Sequence, residues 1–297
     1  MANARNDKYY MKPNNLKTKI FLDGGDPDET KDILDLMGFL DGQTTNPTLV
    51  SKNPEIAQRI AKGEKFTQEE IIAAYKEIVT KISSLIPEGS VSIEVHSDNE
   101  TTAEQMLEQA KEMNAWIPNA HIKYPTTFEG LKAAERSISL GMKVNMTLVF
   151  SQGQAAAVYA ATRGASKGDV FLSPFIGRLD DKGEDGMSLI ENIKKMYSSG
   201  DGHVEILGAS VRNMNHLMGV LHLESDIVTL PGKLIKEWYG ASAKIPGEEF
   251  IYSKGDLKEI PYEQLDLEKN WDEFNIRHEL TDAGLEKFAA DWNALIQ

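Results

Sequence analysis

Ionisable side chains lie inside several apolar stretches of this sequence, where a buried β-strand would normally carry none. Lys123 falls within AHIKYPTTFEG, between an isoleucine and a tyrosine. Asp23 ends the stretch TKIFLD, and Glu94 lies within SVSIEV. An unpaired charge in a buried strand is destabilising, so we expect these three residues to share a site that uses them.

The chemistry that this set suits is the attack of an amine on a carbonyl group. A lysine in a partly apolar site loses part of its preference for the charged form, so a free amine can form a Schiff base with a ketone or aldehyde. Such a reaction needs carboxylates for proton transfer and hydroxyl or amide groups to hold a polyol. The candidates of these types are Asp23, Glu94, Asn46, Asn145, Thr147 and Ser173.

Each candidate taken alone has a simpler explanation. A single Asp or Glu at a strand end is most often a cap or a loop ligand, and a single strand lysine more often reaches solvent. Asn145 or Thr147 alone could be a polar residue whose partners are backbone groups. The shared face and shared strand ends of the whole set favour a site.

Alternation along the strands defines that shared face. Side chains point to opposite faces in turn, so Lys123 lies opposite Ile122 and Tyr124. In the stretch HVEILGAS, the same rule puts Ser210 on the face of Val204.

Eight apolar stretches of strand length alternate with helical patterns along the chain. The predicted strands span 18–23, 39–44, 90–95, 120–124, 142–149, 169–173, 203–209 and 225–230. The predicted helices span 27–37, 54–62, 67–85, 101–113, 128–140, 151–163, 186–198, 213–222 and 232–239. Because parallel neighbours need crossover connections, this order predicts a single α/β fold, a (β/α)8 TIM barrel of parallel strands. In such a barrel one face of each strand packs against the helices and must be apolar, so the face that carries the polar residues points at the axis. Active sites of these barrels lie at the carboxyl ends of the strands.

The barrel is predicted to span residues 18–240, after a short N-terminal extension over 1–17. The C-terminal segment, 241–297, is polar and irregular before a terminal helix in LTDAGLEKFAADWNALI. That helix is amphipathic, and its apolar stripe consists of Leu285, Phe288, Trp292 and Leu295. We expect it to pack on the barrel or on a partner subunit, so a homo-oligomer is compatible with the sequence.

An anion site is predicted where the stretch GASVRN (208–213) follows a strand and opens a helix. The backbone amides of such a helix N-terminus favour a phosphate or a similar anion. Arg212 adds a bidentate partner, and Arg178 in SPFIGR is a second candidate. A surface salt bridge is the alternative for each arginine.

Composition narrows the function classes. The 297 residues carry 32 basic and 46 acidic side chains, a net charge of −14 that argues against a nucleic-acid or anionic membrane surface. There are no cysteines, which excludes disulfides, thiolate nucleophiles and Cys-ligated zinc. No stretch has the length of a membrane span, and the N-terminus lacks the apolar core of a signal peptide, so we expect a cytoplasmic protein. The histidines show no metal-ligand spacing and no nucleotide-binding motif occurs, so we expect neither a metal nor a cofactor.

Six separated motifs resemble those of the transaldolase family, in order and at matching spacing. They are DGQTTNPTLV (41–50), SIEV (92–95), HIKYPTTFEGLKAAE (121–135), NMTLVFSQGQA (145–155), LSPFIGRLDD (172–181) and GASVRN (208–213). The similarity runs from about residue 18 to residue 235. The resemblance implies a (β/α)8 barrel that moves a dihydroxyacetone unit from a ketose phosphate to an aldose phosphate.

The resemblance also implies a role for each candidate residue. Lys123 is similar to the Schiff-base lysine, and Asp23 to the acid/base at the hydroxyl whose deprotonation drives carbon–carbon cleavage. Glu94 and Thr147 resemble the pair that holds a catalytic water. The implied ligands of the dihydroxyacetone hydroxyls are Asn46, Asn145 and Ser173. The implied phosphate site consists of Arg178, Ser210 and Arg212, with Phe175 beside it.

The family also contains fructose-6-phosphate aldolases, which release free dihydroxyacetone. That branch usually has glutamine at the position of Glu94 and tyrosine at the position of Phe175, so both residues match the transferase branch. Departures from the family pattern occur beside the candidate site, at Gly24, Gln43, His96 and Tyr124. They bear on the substrate, which could carry another terminal anion such as a sulfonate. A lyase of the second branch and a barrel that binds sugar phosphates without turnover are the alternatives.

Overall fold

The structure, a computed structural model that describes residues 12–297, contains a closed barrel of parallel β-strands. The strands in chain order are β1 (Lys19–Asp23), β2 (Gly42–Thr44), β3 (Ser90–Glu94), β4 (Ala120–Pro125), β5 (Val144–Val149), β6 (Val170–Pro174), β7 (Glu184–Asp185), β8 (Val204–Gly208), β9 (Ile227–Leu230) and β10 (Lys258–Glu259). The barrel follows the order β1-β2-β3-β4-β5-β6-β8-β9, and β9 pairs with β1 to close it. Strands β7 and β10 pair with each other outside the barrel. The predicted (β/α)8 architecture is confirmed.

Helices surround the barrel and connect its strands. They are α1 (Pro27–Met37), α2 (Pro47–Ser51), α3 (Pro54–Ala61), α4 (Gln68–Leu85), α5 (Ala103–Asn114), α6 (Phe128–Ser139), α7 (Gln152–Ala161), α8 (Ile176–Asp180), α9 (Gly186–Tyr197), α10 (Met214–His222), α11 (Gly232–Gly240) and α12 (Glu279–Asn293). Each of the predicted barrel helices is found with its ends within about two residues of the prediction. The sequence pattern does not predict the short helices α2 and α8, which follow β2 and β6 at the barrel mouth.

Local sequence determines where the chain leaves β1. Asp26 caps α1, and its side chain accepts a hydrogen bond from the amide of Asp28 at 3.0 Å. Pro27 occupies the first helical turn, where its missing N–H is not needed. This cap begins the helix just beyond Asp23 and so keeps that residue at the end of its strand.

Large side chains fill the amino-terminal half of the barrel interior. Phe21 and Phe171 pack edge to face with their ring centroids 5.7 Å apart. Gly42 leaves room for Phe21, since a Cβ atom there would lie 2.5 Å from that ring. Lys19 and Glu205 form an ion pair, with 3.0 Å between Nζ and Oε1, at the amino ends of their strands. The carboxyl-terminal half of the barrel is therefore the part left for a site.

The C-terminal segment returns the chain to the barrel mouth. Its helix α12 packs against α2 and β5, where the Thr281 hydroxyl donates a 3.0 Å hydrogen bond to the Leu148 carbonyl. All four residues of the predicted apolar stripe are buried. The helix thus packs on the barrel of its own chain, which is one of the two placements that the sequence allows.

The fold leaves two of the expectations from the sequence untested, the domain boundaries and a partner subunit. The boundaries at 17/18 and 240/241 stay predictions, and most of the extension over 1–17 lies outside the described residues. A partner subunit also stays a prediction. Among residues 12–297, no helix has both the length and the apolar character needed to cross a membrane.

Candidate active site

Lys123 is buried in the carboxyl-terminal half of the barrel, between two oxygen partners. Its Nζ lies 2.9 Å from Glu94 Oε2 and donates a 3.1 Å hydrogen bond to the backbone carbonyl of Thr45. The exposed fractions of the Lys123 and Glu94 side chains are 5% and 3%. The two residues pair directly across β4 and β3, so strand alternation brings both charges to the axis, as the sequence predicts.

Asp23 faces the same cavity from the end of β1. The Thr44 hydroxyl donates to Asp23 Oδ1 at 2.7 Å and lies 2.6 Å from the Thr229 hydroxyl. Burial raises the pKa of Asp23, while the charge of Lys123 and the hydrogen bond from Thr44 act to lower it. A carboxyl group held in one orientation with a raised pKa is suited to proton transfer.

Burial raises the pKa of Glu94 as well. The charge of Lys123 and its contact with the carboxylate oppose that shift, and Arg178 opposes it more weakly. The site therefore holds two carboxyl groups that both resist ionisation and one amine whose charge opposes the rise in their pKa values.

Thr147 supplies a hydroxyl without a partner. Its Oγ1 is buried and makes no hydrogen bond with any residue in the described part of the chain. The register of β5 with β6 shifts between Met146 and Val149, and Leu148 adopts a φ of 60°. A non-glycine residue in this region is strained, and such strain and bulges concentrate at functional sites. The free hydroxyl is therefore available to a water or a substrate oxygen.

A second polar group lies on β5 and β6. Ser173 Oγ donates to Asn145 Oδ1 at 2.7 Å, and Asn145 Nδ2 donates to Ser92 Oγ at 3.0 Å. Asn46 caps α2, where its Oδ1 accepts from the amide of Leu49 at 2.9 Å. Both asparagines are thus oriented by their neighbours in the fold, and Asn46 Nδ2, which makes no hydrogen bond within residues 12–297, is left for a ligand.

Arg178 and Phe175 form another wall of the cavity. The guanidinium carbon of Arg178 lies 5.1 Å from the Phe175 ring centroid and 5.5 Å from that of Phe288. Burial lowers the pKa of Arg178, and the charge of Arg212 acts in the same direction. Arg178 forms no salt bridge within residues 12–297, so its charge is available to an anion.

Arg212 is engaged outside the cavity wall. Its Nη1 and Nη2 donate to the two carboxylate oxygens of Asp181, the second bond at 2.6 Å. Its side chain packs over Gly177, where a Cβ atom would lie 2.5 Å from Arg212 Nε. Arg212 therefore forms a salt bridge, which is the alternative to an anion site that the sequence leaves open for it.

These elements enclose a cavity of about 220 Å³ at the barrel mouth. The predicted site residues that line it are Asp23, Asn46, Lys123, Thr147, Ser173, Phe175, Arg178 and Ser210. Glu94 and Asn145 lie behind this lining and contact Lys123 and Ser173, whereas Arg212 is outside it. Most of the residues that alternation and the motifs predict thus lie together around one cavity.

Comparison with known proteins decides the family. Residues 20–297 match the family model described as "Transaldolase/Fructose-6-phosphate aldolase". The chain belongs to this family.

Three curated relatives are similar over nearly their whole length. A probable transaldolase of Dehalococcoides mccartyi is 33% identical over 277 residues, which is 93% of this chain and 99% of that protein. A probable transaldolase of Brucella ovis is 36% identical over 274 residues, with 92% and 96% covered. A probable transaldolase 2 of Listeria monocytogenes is 34% identical over 279 residues, with 94% and 98% covered. The resemblance read from the six motifs is confirmed.

The four residues predicted to depart from the transaldolase family pattern are not among the residues that line the cavity. The Tyr124 hydroxyl is 2.8 Å from Ser137 Oγ of α6, in the helix layer. Gln43 accepts from the Thr30 hydroxyl at 2.8 Å and donates to the Gly24 carbonyl at 2.9 Å. The Tyr124 and Gln43 side chains therefore belong to the packing around the barrel, whereas Gly24 directly follows Asp23, which lines the cavity.

The fourth departure, His96, lies beneath α12. Its ring centroid is 6.0 Å from that of Trp292, and its backbone amide donates to Gln109 Oε1 at 2.9 Å. Burial lowers the pKa of His96, so the ring tends to stay neutral at the pH where an exposed histidine is half protonated. It belongs to the contact between the barrel and its terminal helix.

Ser210 departs from the alternation predicted for it. Strand β8 ends at Gly208, where a Cβ atom would meet Val220 in the helix layer. Ser210 has a φ of 56° and lines the cavity. Alternation holds only while the chain is extended, so the prediction that Ser210 shares a face with Val204 is wrong.

The cavity lining also contains residues that sequence reasoning did not select. Thr44 and Thr229 lie near the carboxyl ends of β2 and β9, where counting along the strands points them at the axis. Lys52 and Lys287 add positive charge to the lining, and Phe288 covers Arg178. The last two belong to α12, whose place over the mouth no local pattern indicates.

Proposed function

We propose that the protein transfers a dihydroxyacetone unit from a ketose phosphate, such as fructose 6-phosphate, to an aldose phosphate through a Schiff base on Lys123. The observation that carries this proposal is the buried Lys123 amine, which lines the cavity and lies 2.9 Å from Glu94. Family membership supports it, since the relatives are named probable transaldolases. A protein that only binds sugar phosphates has no need of an amine nucleophile.

The first step is attack of the Lys123 amine on the ketone carbon of the donor. Attack gives a carbinolamine, and loss of water from it gives the iminium form of the Schiff base. The departing water needs a proton and a place to bind. Glu94 lies beside the amine, and the Thr147 hydroxyl has no hydrogen-bond partner within residues 12–297, so both groups suit the binding of that water and proton exchange with it.

Asp23 serves the carbon–carbon cleavage. It removes the proton of the C4 hydroxyl, the C3–C4 bond breaks, and the bonding electrons move into the iminium. The aldose phosphate leaves as an aldehyde, and the three-carbon fragment stays on Lys123 as an enamine. The enamine then attacks the acceptor aldehyde, and Asp23 returns the proton to the new hydroxyl. The raised pKa of Asp23 suits a group that both takes and gives a proton.

The remaining polar residues suit the two ends of the sugar. To the dihydroxyacetone hydroxyls we assign Asn46, Asn145 and Ser173, whose side chains are oriented by their neighbours. Arg178 and Ser210 suit the phosphate, with Phe175 against the sugar chain. Arg212 joins this end only when its ion pair with Asp181 opens.

Reductive trapping tests the proposal. The protein is incubated with fructose 6-phosphate, reduced with borohydride and digested, and the masses of its peptides are measured by mass spectrometry. We expect a dihydroxyacetone-derived mass on Lys123 and no adduct in the Lys123→Met variant. A wild-type protein without this mass, or with it on an exposed lysine such as Lys233, overturns the proposal.

A lyase that releases free dihydroxyacetone is the second candidate, because the matched family includes both activities. Glu94 and Phe175 favour the transferase, because the resemblance implies glutamine and tyrosine at these positions in the aldolase branch. Assays with and without erythrose 4-phosphate separate the two. A transferase stops after one turnover when the acceptor is missing, whereas a lyase continues.

A further inference from the structure

We propose that Tyr75, on the outer helix α4, is a positioning residue for the Lys123 amine. The inference rests on the proposed function, because it concerns the reactivity of that amine. Tyr75 is fully buried and lies outside the cavity lining. Its phenol nevertheless reaches the carboxyl ends of β2 and β3.

The hydrogen bonds of Tyr75 form a chain with one direction. The backbone amide of Glu94 donates to the Tyr75 hydroxyl at 2.9 Å, and the Thr45 hydroxyl lies 2.5 Å from it. The Thr45 hydroxyl donates its single hydrogen to the Ser92 carbonyl at 2.7 Å. Tyr75 must therefore be the donor towards Thr45. The chain runs from the Glu94 amide through Tyr75 and Thr45 to Ser92.

This hydroxyl fills a gap in the barrel. Strand β2 ends at Thr44, because the chain turns into α2 with Asn46 as its cap. The pairing of β2 with β3 stops at Thr44 and Ser92, so Glu94 has no β2 residue beside it. A buried backbone amide without an acceptor is destabilising, and the phenol takes the place of the missing strand.

Both oxygen partners of Lys123 depend on this chain. The amine donates to the Thr45 carbonyl at 3.1 Å and lies 2.9 Å from the Glu94 carboxylate. One phenol thus holds the residues on both sides of the amine. A displacement of a reacting group by about 1 Å can slow a reaction greatly. Loss of the Tyr75 hydroxyl should therefore slow attack of the Lys123 amine on the ketone.

The phenol ring is itself held in place. Its centroid lies 6.0 Å from that of Trp116, edge to face, and 6.0 Å from that of Trp292. These contacts belong to the ring and would persist with phenylalanine at this position. The variant Tyr75→Phe therefore separates the hydroxyl from the packing.

The test compares Tyr75→Phe with Tyr124→Phe. Both tyrosines are fully buried, and the Tyr124 hydroxyl bonds to Ser137 in the helix layer, away from the cavity. In reductive trapping with fructose 6-phosphate, we expect Tyr75→Phe to form the adduct on Lys123 about ten-fold or more slowly than wild type. We expect kcat to fall in parallel at little change in KM, and Tyr124→Phe to stay within about two-fold of wild type.

Hydrogen exchange gives a second readout that does not depend on the reaction. The Glu94 amide should exchange faster in Tyr75→Phe than in wild type, because its acceptor is lost, and should be unchanged in Tyr124→Phe. If Tyr75→Phe does not fold, the variant Thr45→Val tests the inference instead. It removes the Thr45 hydroxyl, which accepts from Tyr75 and donates to Ser92, and it should slow formation of the adduct in the same way.

Two results would overturn the inference alone. One is an adduct rate per folded molecule in Tyr75→Phe equal to that of wild type. The other is equal slowing in Tyr75→Phe and Tyr124→Phe, which general loss of packing would explain. A wild-type protein that forms no adduct overturns the proposed function and this inference with it, so the two failures are distinguishable.

Discussion

Lys123 Nζ and Glu94 Oε2 lie 2.9 Å apart, and 5% and 3% of their side chains are exposed. For a pair buried to this extent the desolvation penalty can exceed the attraction between the charges, so the pair is weak evidence for stability. Glu94 and Asp23 both have pKa values raised by burial, and Lys123 is the main group that opposes each shift. The charge of the amine is therefore the largest effect that opposes the raised pKa values of these two carboxyl groups.

The variant Lys123→Met should make stability depend more strongly on pH than it does in wild type. Without the amine, burial raises the pKa of Glu94 further above its ordinary value of 4.5. A carboxyl group with a raised folded-state pKa binds more protons when folded. The free energy of unfolding should therefore fall as pH rises above about 4.5, by at most about 1.4 kcal/mol per pH unit for one group.

Urea unfolding over a range of pH values measures this slope, with Lys233→Met, at an exposed lysine, as the control. The control should follow the wild-type curve. A Lys123→Met curve parallel to that of wild type would contradict the prediction.

The variant Asp23→Asn should separate Schiff-base formation from cleavage. Asparagine keeps an acceptor for the Thr44 hydroxyl but cannot take a proton. We expect kcat for transfer to fall about 10²- to 10⁴-fold. Borohydride should still trap a ketose on Lys123, now with the mass of the intact sugar phosphate. The control Asp28→Asn, at an exposed position, should retain activity, and loss of trapping in Asp23→Asn would place Asp23 before cleavage.

Thr44 should set the acid limb of the pH–rate profile. Its hydrogen bond lowers the pKa of Asp23, so Thr44→Val raises that pKa. Because Asp23 must be ionised to act as a base, the acid limb of kcat/KM should move to higher pH. Thr229→Val removes only a bond to Thr44 and should move the limb less. Superimposable profiles for the three proteins would argue against this role.

Strand alternation is sufficient to predict which ionisable side chains meet at the barrel axis. Asp23, Glu94 and Lys123 lie on strands, where each side chain has only two directions and one of them is the apolar helix layer. The order of strand and helix patterns then implied a barrel, which placed the polar direction on its axis.

Contacts between distant segments could not be found in this way. Tyr75 lies 19 residues before Glu94, on a helix whose apolar stripe looks like ordinary packing. Lys287 reaches the cavity lining because α12 folds back over it, and Arg212 leaves the lining because Asp181 binds it. No period or spacing in the sequence encodes such pairings, since they depend on where whole elements pack.

Arg178 should carry most of the binding energy for the phosphate. It lines the cavity, whereas Arg212 lies outside and is paired. Because hydrogen bonds to charged groups are strong, Arg178→Ala should raise KM for fructose 6-phosphate about 10- to 100-fold. Arg212→Ala should raise it less, and neither should change KM for fructose, which has no phosphate. A larger effect at Arg212 would show that its ion pair opens when the substrate binds.

Asp181 should compete with the substrate for Arg212. Its carboxylate occupies both guanidinium donors and repels an arriving phosphate. Because the pair is about half exposed, Asp181→Asn should lower KM for fructose 6-phosphate only about two- to five-fold. Salt should screen the difference, and fructose should show none. The exposed control Asp272→Asn should match wild type, and a KM that rises in Asp181→Asn would mean that Asp181 orients Arg212 for the phosphate.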